Sequence, residues 1–286
     1  INTMKRILNC RASDFQRQSE AEELVAAIRA SEGRVVLAEV AAETPPLYPD
    51  VTNAELVAAF GADMVLLKGY NTATHVVAGA PVAGGIEQVK ALTGRLVGVS
   101  LEVTPENDAD NPRSLSRHAL EQVQGADFLC LTGYDKPGVD RPSMLQAISL
   151  AKAHFPGFIM VAKFSARGLM AAAEYAEYAA AGANAVVIPA PGTCQGSREG
   201  EVSAIVDAVH LAGALAITTI STSQEGADGA TVSQIGLASK RCGSDIHSFG
   251  DAGCAGIADP EAIYRLSIAV RGKRHTWVRM ASSIRR

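Results

Sequence analysis

The chain contains 286 residues, 48% of them hydrophobic, and carries a formal net charge of -4 at pH 7. A single α/β barrel takes about 250 residues, so this length allows one large domain with its own core. The mild acidity and the 5% of aromatic residues argue against a nucleic-acid surface, which needs a basic face and stacking side chains. The sequence has no run of ~18 apolar residues that would predict a membrane-spanning helix.

Cysteine usage and the first residues indicate the compartment. The five cysteines are scattered and no C-x-x-C motif occurs, which argues against a disulfide framework or a zinc knuckle. The first ten residues lack the long apolar core of a signal peptide. We therefore expect a cytoplasmic protein with reduced thiols.

Helical and strand-like segments alternate along the chain. Residues 19–31 predict an opening helix, with Ser19 as N-cap, acidic residues in the first turn and Gly33 after its end. Continuous apolar or β-branched runs, typical of parallel strands buried on both faces, then occur at 35–40, 64–68, 96–102, 127–132, 158–163, 185–188, 215–219 and 245–248. Alanine-rich runs that predict helices separate them, including 53–60, 115–123, 142–154, 169–181, 199–211 and 231–242.

Eight strands alternating with helices predict right-handed βαβ units and a parallel sheet. A short repeat supports this count, because a glycine, a small residue and an Asp or Asn precede every second strand, at 61–63, 125–127, 182–184 and 243–245. Glycine in the left-handed conformation commonly ends a helix. The prediction is a single-domain (β/α)8 TIM barrel at 34–272, with an N-terminal extension at 1–33 and a basic tail at 273–286.

The predicted barrel places its active site at the C-terminal ends of the strands. The longest irregular segments, 41–52, 69–83 and 104–113, follow the first three strands and are expected at that end. Alternation along strands points Glu39, Glu102 and Lys163 into the barrel mouth, together with Asp245, His247, Phe249 and Asp251 of the eighth strand.

Glu39 and Glu102 interrupt apolar strands, and a charge there is costly unless it has a partner. They are candidates for a general base or for Mg²⁺ ligands. The alternative is a salt bridge from either carboxylate to Lys163 or Arg167 that stabilises the barrel rim. Both interpretations stay open at this stage.

Lys163 ends an apolar strand, where a lysine can form a Schiff base or act as a point charge for a carboxylate or phosphate. We favour the electrostatic role, because nothing else in the sequence specifies an imine mechanism. Asn71, after the second strand, is a candidate for binding a polar substrate group.

The two segments after the seventh and eighth strands are rich in small residues and are candidates for phosphate binding through backbone N–H groups and hydroxyls. The predicted contacts are Ser221, Thr222, Ser223, Gly226, Gly250, Asp251, Ala252 and Gly253. Two ordinary tight turns are the alternative. Asp251 would repel a phosphate unless its carboxylate turned away or met a cation, and it can instead cap the short helix that follows.

Several segments resemble a family of bacterial (β/α)8 proteins labelled phosphonomutase-like: V-L-A-E-V, M-V-L-L-K-G-Y-N, T-S-Q-E-G-A, D-I-H-S-F-G-D-A-G and the R-G-K-R-H-T tail. The resemblance implies a relationship to the phosphoenolpyruvate mutase/isocitrate lyase superfamily, whose members use Mg²⁺ on C–C or P–C bonds of 2-oxoacids. That superfamily's D-D metal motif and the K-K-C-G-H string that many of its lyases carry are both absent here.

The sequence therefore predicts an isomerase or lyase for a small phosphorylated or 2-oxoacid metabolite, with Mg²⁺ as a possible cofactor. The alternatives are a Schiff-base aldolase using Lys163 and a non-catalytic barrel that binds a phosphorylated metabolite. The only partners expected are a small anionic substrate and a second copy of the chain, contacted through the C-terminal segment with its single tryptophan, Trp277. For that segment we favour a solvated final helix over this contact.

Overall fold

The computed structural model describes residues 5–81, 84–105 and 110–286. Eight parallel strands form a closed barrel in the order β1 to β8, with β8 paired to β1. The chain is thus a (β/α)8 TIM barrel, as predicted. The strands are β1 Val35–Ala41, β2 Met64–Lys68, β3 Leu96–Glu102, β4 Phe128–Gly133, β5 Phe158–Lys163, β6 Ala185–Pro189, β7 Leu215–Ile220 and β8 Ile246–Phe249.

Helices surround the barrel, and every predicted strand end lies within one residue of its observed position. The α-helices among the described residues are α1 Ala12–Phe15, α2 Ala21–Arg29, α3 Asn53–Ala59, α4 Gly85–Thr93, α5 Arg117–Gln122, α6 Arg141–His154, α7 Ala172–Ala180, α8 Glu199–Leu211, α9 Gly229–Arg241 and α10 Pro260–Met280. None of the described helices is long and apolar enough to cross a membrane.

Two buried clusters divide the strand residues by face. One set of alternate residues, such as Val36, Val65 and Val161, packs with the surrounding helices. The other set, such as Leu37, Leu66 and Met160, fills the barrel interior. A strand buried on both faces needs apolar residues at nearly every position, which explains the continuous apolar runs in the sequence.

The repeated junction before even-numbered strands has a specific structural role. Asp63, Asp127, Asn184 and Asp245 each accept a hydrogen bond from a backbone N–H of the preceding odd-numbered strand, at 2.8 to 2.9 Å. Their own backbone N–H groups donate to a carbonyl of that strand. The side chain and backbone of one residue thus fasten each pair of strands at its N-terminal end.

The N-terminal extension and the basic tail close the floor of the barrel together. Ile7, Phe15 and Leu24 belong to the interior cluster. Residues of the predicted tail continue α10 beyond a kink at Gly272, which has φ 74°. Arg279 is only 3% exposed, so the expectation of a solvated final helix is wrong for this residue. Trp277 remains 53% exposed, and the expected contact with a second copy stays a prediction.

The predicted inward faces are correct for β1 and β3 and wrong for β5 and β8. Ala162 and Ile246 belong to the interior cluster, whereas Val161 and Phe249 pack with the helices. Lys163 and His247 therefore lie on the outward register of their strands. The predicted loops 69–83 and 104–113 follow β2 and β3 as expected, with residues 82–83 and 106–109 outside the described part.

Candidate active site at the mouth of the barrel

Three side chains from opposite ends of the chain meet at the C-terminal rim of the barrel. Glu39 points inward near the end of β1, Lys68 ends β2 beside it, and Asp251 follows β8, which closes onto β1. Lys68 Nζ lies 3.2 Å from Glu39 Oε2 and 3.5 Å from Asp251 Oδ1. One ammonium thus bridges two carboxylates, and we call these three residues the rim cluster.

The rim cluster is largely shielded from solvent, with a side-chain exposure of 12% for Glu39 and 22% for Lys68. Burial raises the pKa of Glu39 above its ordinary value, and the negative charges of Asp251 and Glu225 add to this effect while Lys68 opposes it. A carboxylate with a raised pKa is a stronger base than a solvated one. Glu39 is therefore suited to accept and return a proton.

Lys68 is held in its charged form. Burial alone would lower the pKa of its ammonium group, but Glu39 and Asp251 outweigh burial and raise the pKa above its ordinary value. A lysine held in this state donates hydrogen bonds and stabilises negative charge. Its nitrogen has no free electron pair for nucleophilic attack, which a Schiff base requires.

Two aromatic rings form one side of the mouth. Tyr134, after β4, and Phe164, after β5, stack with centroids 5.8 Å apart and an interplanar angle of 16°. Burial raises the pKa of Tyr134, so its hydroxyl stays protonated, although the charge of Lys68 acts in the opposite direction. The phenol is thus a neutral hydrogen-bond donor near the ammonium.

Glu102 belongs to a separate pair. Its carboxylate accepts a hydrogen bond from Lys136, whose Nζ also lies 5.8 Å from the centroid of the Tyr134 ring. β2, with Lys68 at its end, separates Glu102 from Glu39 in the barrel. The salt-bridge interpretation therefore holds for both carboxylates, but their partners are Lys68 and Lys136 rather than the expected Lys163 or Arg167.

This donor set does not fit Mg²⁺, which prefers several oxygen ligands around one point. A lysine lies against each of the two predicted ligands, Glu39 and Glu102. Within residues 5–81, 84–105 and 110–286, no three His, Cys, Asp or Glu side chains are grouped so that they could hold a metal ion. We derive no catalytic step from a metal.

The turns after β7 and β8 pack against each other beside the rim cluster. A Cβ atom added at Gly253 would lie 2.5 Å from the carbonyl oxygen of Glu225, so only glycine allows this approach. Glu225 is 6% exposed, and its Oε2 atom has no hydrogen-bond partner among the described residues. Its negative charge raises the pKa of Glu39.

The predicted phosphate contacts lie in these turns, but several of their groups are already engaged. The N–H of Gly250 donates to Ile220 O at 3.0 Å, and the N–H of Gly226 donates to Ser223 O at 3.1 Å. Asp251 meets a cation, Lys68, which is one of the two conditions expected from the sequence. Phosphate binding by Ala252 and Gly253 stays a prediction.

Lys163 is not part of the rim cluster and lines a separate cavity. Its Nζ donates to Phe164 O at 2.9 Å, and its side chain passes close to Gly133 of β4. It lines a cavity of about 410 Å³ between the loops after β5, β6 and β7, which we call the side cavity. Its walls are Lys163, Phe164, Ser165, Ala166, Arg167, Gly168, Pro189, Cys194, Gln195, Ser221 and Thr222.

Asn71 organises the loop after β2. Its Oδ1 accepts hydrogen bonds from the N–H groups of Ala73 and Thr74, at 3.0 and 3.2 Å. Such a turn uses the side-chain carbonyl as a substitute for backbone. The predicted contact with a substrate stays a prediction, and it would use the amide nitrogen as a hydrogen-bond donor.

The residue that sequence reasoning missed is Lys68. The alternation applied to β1 and β3 would have found it, because Met64 and Leu66 point inward and the next inward position is Lys68. Glu225 carried no comparable signal, since it lies in a short turn with no periodicity to indicate its burial.

Comparison with solved structures identifies other TIM barrels at low sequence identity. A thiamine phosphate pyrophosphorylase from Pyrococcus furiosus matches with TM-score 0.50 and 12% identity, over 84% of this chain and 96% of that one. An archaeal fructose 1,6-bisphosphate aldolase matches with TM-score 0.52 and 14% identity, over 85% and 96%. Dihydrodipicolinate synthase from Oceanobacillus iheyensis matches with TM-score 0.51 and 13% identity, over 88% and 79%.

At these identities the similarity establishes the fold alone. A comparison with curated protein sequences finds no match. A family model does match nearly the whole chain, from residue 8 to residue 286. The chain belongs to the family described as Domain of unknown function (DUF7916).

Proposed function

We propose that the protein is an isomerase or lyase that acts on a small 2-oxoacid or related anion through an enolate-like intermediate. The observation that carries the proposal is the rim cluster, in which a carboxylate of raised pKa lies 3.2 Å from a lysine held in its charged form. A base beside a fixed positive charge is the arrangement that proton removal next to a carbonyl requires. Chemistry of this type is what the phosphonomutase-like resemblance implies.

In the proposed reaction, the substrate carbonyl oxygen accepts a hydrogen bond from Lys68. Glu39 removes a proton from the adjacent carbon, the C–H electron pair forms the C=C bond, and the carbonyl π electrons move to the oxygen. The ammonium stabilises the resulting negative charge. The neutral Glu39 then returns the proton to the intermediate, on the same or another atom, and regains its charge.

Asp251 is a positioning residue in this scheme. When Glu39 carries the proton, Asp251 at 3.5 Å still provides Lys68 with a carboxylate partner. The ammonium therefore keeps its charge and its place through the cycle. The stacked rings of Tyr134 and Phe164 lie beside the mouth, and apolar surroundings strengthen electrostatic interactions.

The decisive experiment is exchange of substrate protons with solvent, which reports enolate formation without knowledge of the final product. Wild-type protein is incubated in D₂O with a panel of 2-oxoacids, and NMR follows loss of the proton signal next to the carbonyl. We expect Glu39→Gln to slow exchange about 10²- to 10⁴-fold, as for loss of a general base. Lys68→Met should cost roughly 10²- to 10³-fold, as for loss of an oxyanion donor.

Glu121→Gln is the matched control, because this glutamate is on the surface and pairs with Arg117. The proposal is wrong if exchange is unchanged in Glu39→Gln. Borohydride trapping of a substrate on Lys163 or Lys68 would instead support the aldolase. Ligands that raise the melting temperature but show no exchange and no turnover would support the non-catalytic barrel.

A further inference from the structure

We infer that the substrate also carries a phosphate group, and that this group binds in the side cavity rather than at residues 224–226 and 250–253 of the turns after β7 and β8. The inference rests on the proposed function for the reacting end of the substrate. It concerns a second subsite with its own residues, and its binding is measurable without any reaction.

The side cavity has the charge that a phosphate needs. It is lined by two cationic residues, Lys163 and Arg167, and by no Asp or Glu. In the part of the chain that the structure describes, neither cation forms a salt bridge with a carboxylate. By contrast, Lys68 and Lys136 in the barrel mouth are both paired with carboxylates.

Hydroxyl groups complete the cavity wall on the side of β7. Ser221 and Thr222 line it together with Ser165 of the loop after β5. Thr222 and Ser223 have φ values of 58° and 74°, a conformation that costs energy in a residue with a β-carbon, above all a β-branched one. Strain of this kind persists where the surrounding structure requires it, and here it shapes the wall of the cavity.

The loop that carries Arg167 is fixed in place. The N–H of Ala166 donates to Asp135 Oδ2 at 3.0 Å, and the N–H of Arg167 donates to Ser165 Oγ at 3.2 Å. The guanidinium itself is exposed and can form the two parallel hydrogen bonds that arginine makes with phosphate. The volume of about 410 Å³ is in the range of small-molecule sites.

Residues 224–226 and 250–253, which complete the turns after β7 and β8, are less suitable for a dianion. Asp251 lies in one turn and Glu225 in the other, and the Oε2 atom of Glu225 is buried without a partner among the described residues. Two carboxylates beside a phosphate would repel it. The N–H of Gly250 is also already used by Ile220 O.

One residue connects the side cavity to the rim cluster. Phe164 lines the cavity and stacks on Tyr134, whose hydroxyl interacts electrostatically with Lys68. A substrate with a phosphate at one end and an enolisable carbonyl at the other would therefore lie across Phe164. This defines the substrate class as a small phosphorylated 2-oxo compound.

Binding of inorganic phosphate, followed by calorimetry, tests the subsite. Removing one charge-assisted hydrogen bond should weaken binding roughly tenfold, so we expect about this loss in Arg167→Met and in Lys163→Met. Arg113→Met is the matched control, because this arginine follows β3 at the same end of the barrel but pairs with Glu43. Unchanged affinity in both cavity variants would overturn the inference. Arg167 is exposed, so its variant tests the subsite even if Lys163→Met fails to fold.

A crystal soaked in arsenate locates the anion directly through its anomalous signal. We expect a peak between Arg167 and Thr222, and a peak beside Gly250–Gly253 or no peak would overturn the inference. The two proposals fail separately. If arsenate binds in the side cavity but no 2-oxoacid exchanges its protons with solvent, only the proposed function is rejected. If 2-oxoacids exchange their protons but no arsenate peak is found in the side cavity, only the phosphate subsite is rejected.

Discussion

The two ends of the barrel differ in how completely their buried charged groups are paired. At the floor, Asp63 accepts hydrogen bonds from Arg271 at 2.5 Å and Arg279 at 2.7 Å, and all three side chains are at most 3% exposed. Other guanidinium N–H groups of Arg271 and Arg279 donate to the backbone carbonyls of Gly61 and Ile7, and Arg271 Nε donates to Ser267 Oγ. We call Asp63, Arg271 and Arg279 the floor network, and all three side chains have hydrogen-bond partners within the protein.

At the mouth, Lys68 pairs with two carboxylates, Glu39 and Asp251, and an oxygen of the buried Glu225 has no partner in the described structure. The floor joins the N-terminal extension, the β1–β2 junction and α10, so its charges stabilise the fold. The protein does not fully neutralise the charge at the mouth, as expected where a bound ligand supplies the missing partner. Charges at the floor are thus paired within the protein, whereas we propose that those at the mouth serve a bound ligand.

The largest effect is expected at the floor. Asp63→Asn leaves Arg271 and Arg279 buried without a counter-ion, and breaking a buried pair in this way costs about 3–5 kcal/mol of unfolding free energy. Urea denaturation measures the change, with Glu121→Gln as a surface control that should cost at most about 0.5 kcal/mol. A loss as small as the control's would mean that the floor network does not stabilise the fold.

The next effect concerns a histidine that must stay neutral. His247 is 1% exposed, its Nε2 donates to Gly33 O at 2.9 Å, and its Nδ1 has no partner in the described structure. Burial lowers its pKa to about 4, with Lys240 and Arg271 contributing, while the bond to Gly33 and the charge of Asp245 act in the opposite direction.

The unfolded chain therefore binds more protons than the folded protein between the ordinary pKa of His near 6.5 and about 4, so stability falls as the pH is lowered through this window. Between pH 7 and pH 4 we expect wild-type protein to lose about 3 kcal/mol relative to His247→Gln. Denaturation curves across this range measure the difference. A difference between the two proteins that does not change with pH would contradict the prediction.

The smallest expected effect has the opposite sign and lies at the mouth. Glu225→Gln removes the charge from a buried group whose Oε2 lacks a partner, and should stabilise the fold by about 1 kcal/mol. It should also lower the pKa of Glu39, because the charge of Glu225 raises it. Denaturation and the pH dependence of solvent exchange measure the two effects. Destabilisation comparable to that of Asp63→Asn would remove the distinction between the two ends.

Much of the fold follows from local features of the sequence. Apolar runs of strand length, alanine-rich helices and the repeated junction ending in Asp63, Asp127, Asn184 or Asp245 predict a parallel barrel. The junction is a strong signal because each of these side chains accepts a hydrogen bond from the neighbouring strand. Each of these hydrogen bonds joins residues within one βαβ unit, so a short stretch of sequence is enough to predict it.

The inward face of a strand is harder to predict, because strands buried on both sides show no polar–apolar alternation. Alternation along β5 predicted an inward Lys163 on the same face as Val161. Its long aliphatic stem instead passes over Gly133 on the outer face, as lysines do when they carry their charge past apolar surface. Glu39 and Glu102 are shorter and lie on the inner face, where Lys68 and Lys136 neutralise them.

The sequence by itself thus determined the barrel, its strand boundaries to within one residue and Glu39 as a candidate base. Only the tertiary structure brought Lys68 and Asp251 to Glu39, because closure of β8 onto β1 joins residues from opposite ends of the chain. It also grouped Lys163 with Arg167 and Thr222 around the side cavity and left Glu225 buried beside the mouth. Which charges meet depends on closure of the barrel and the register of its strands, and no local pattern encodes either.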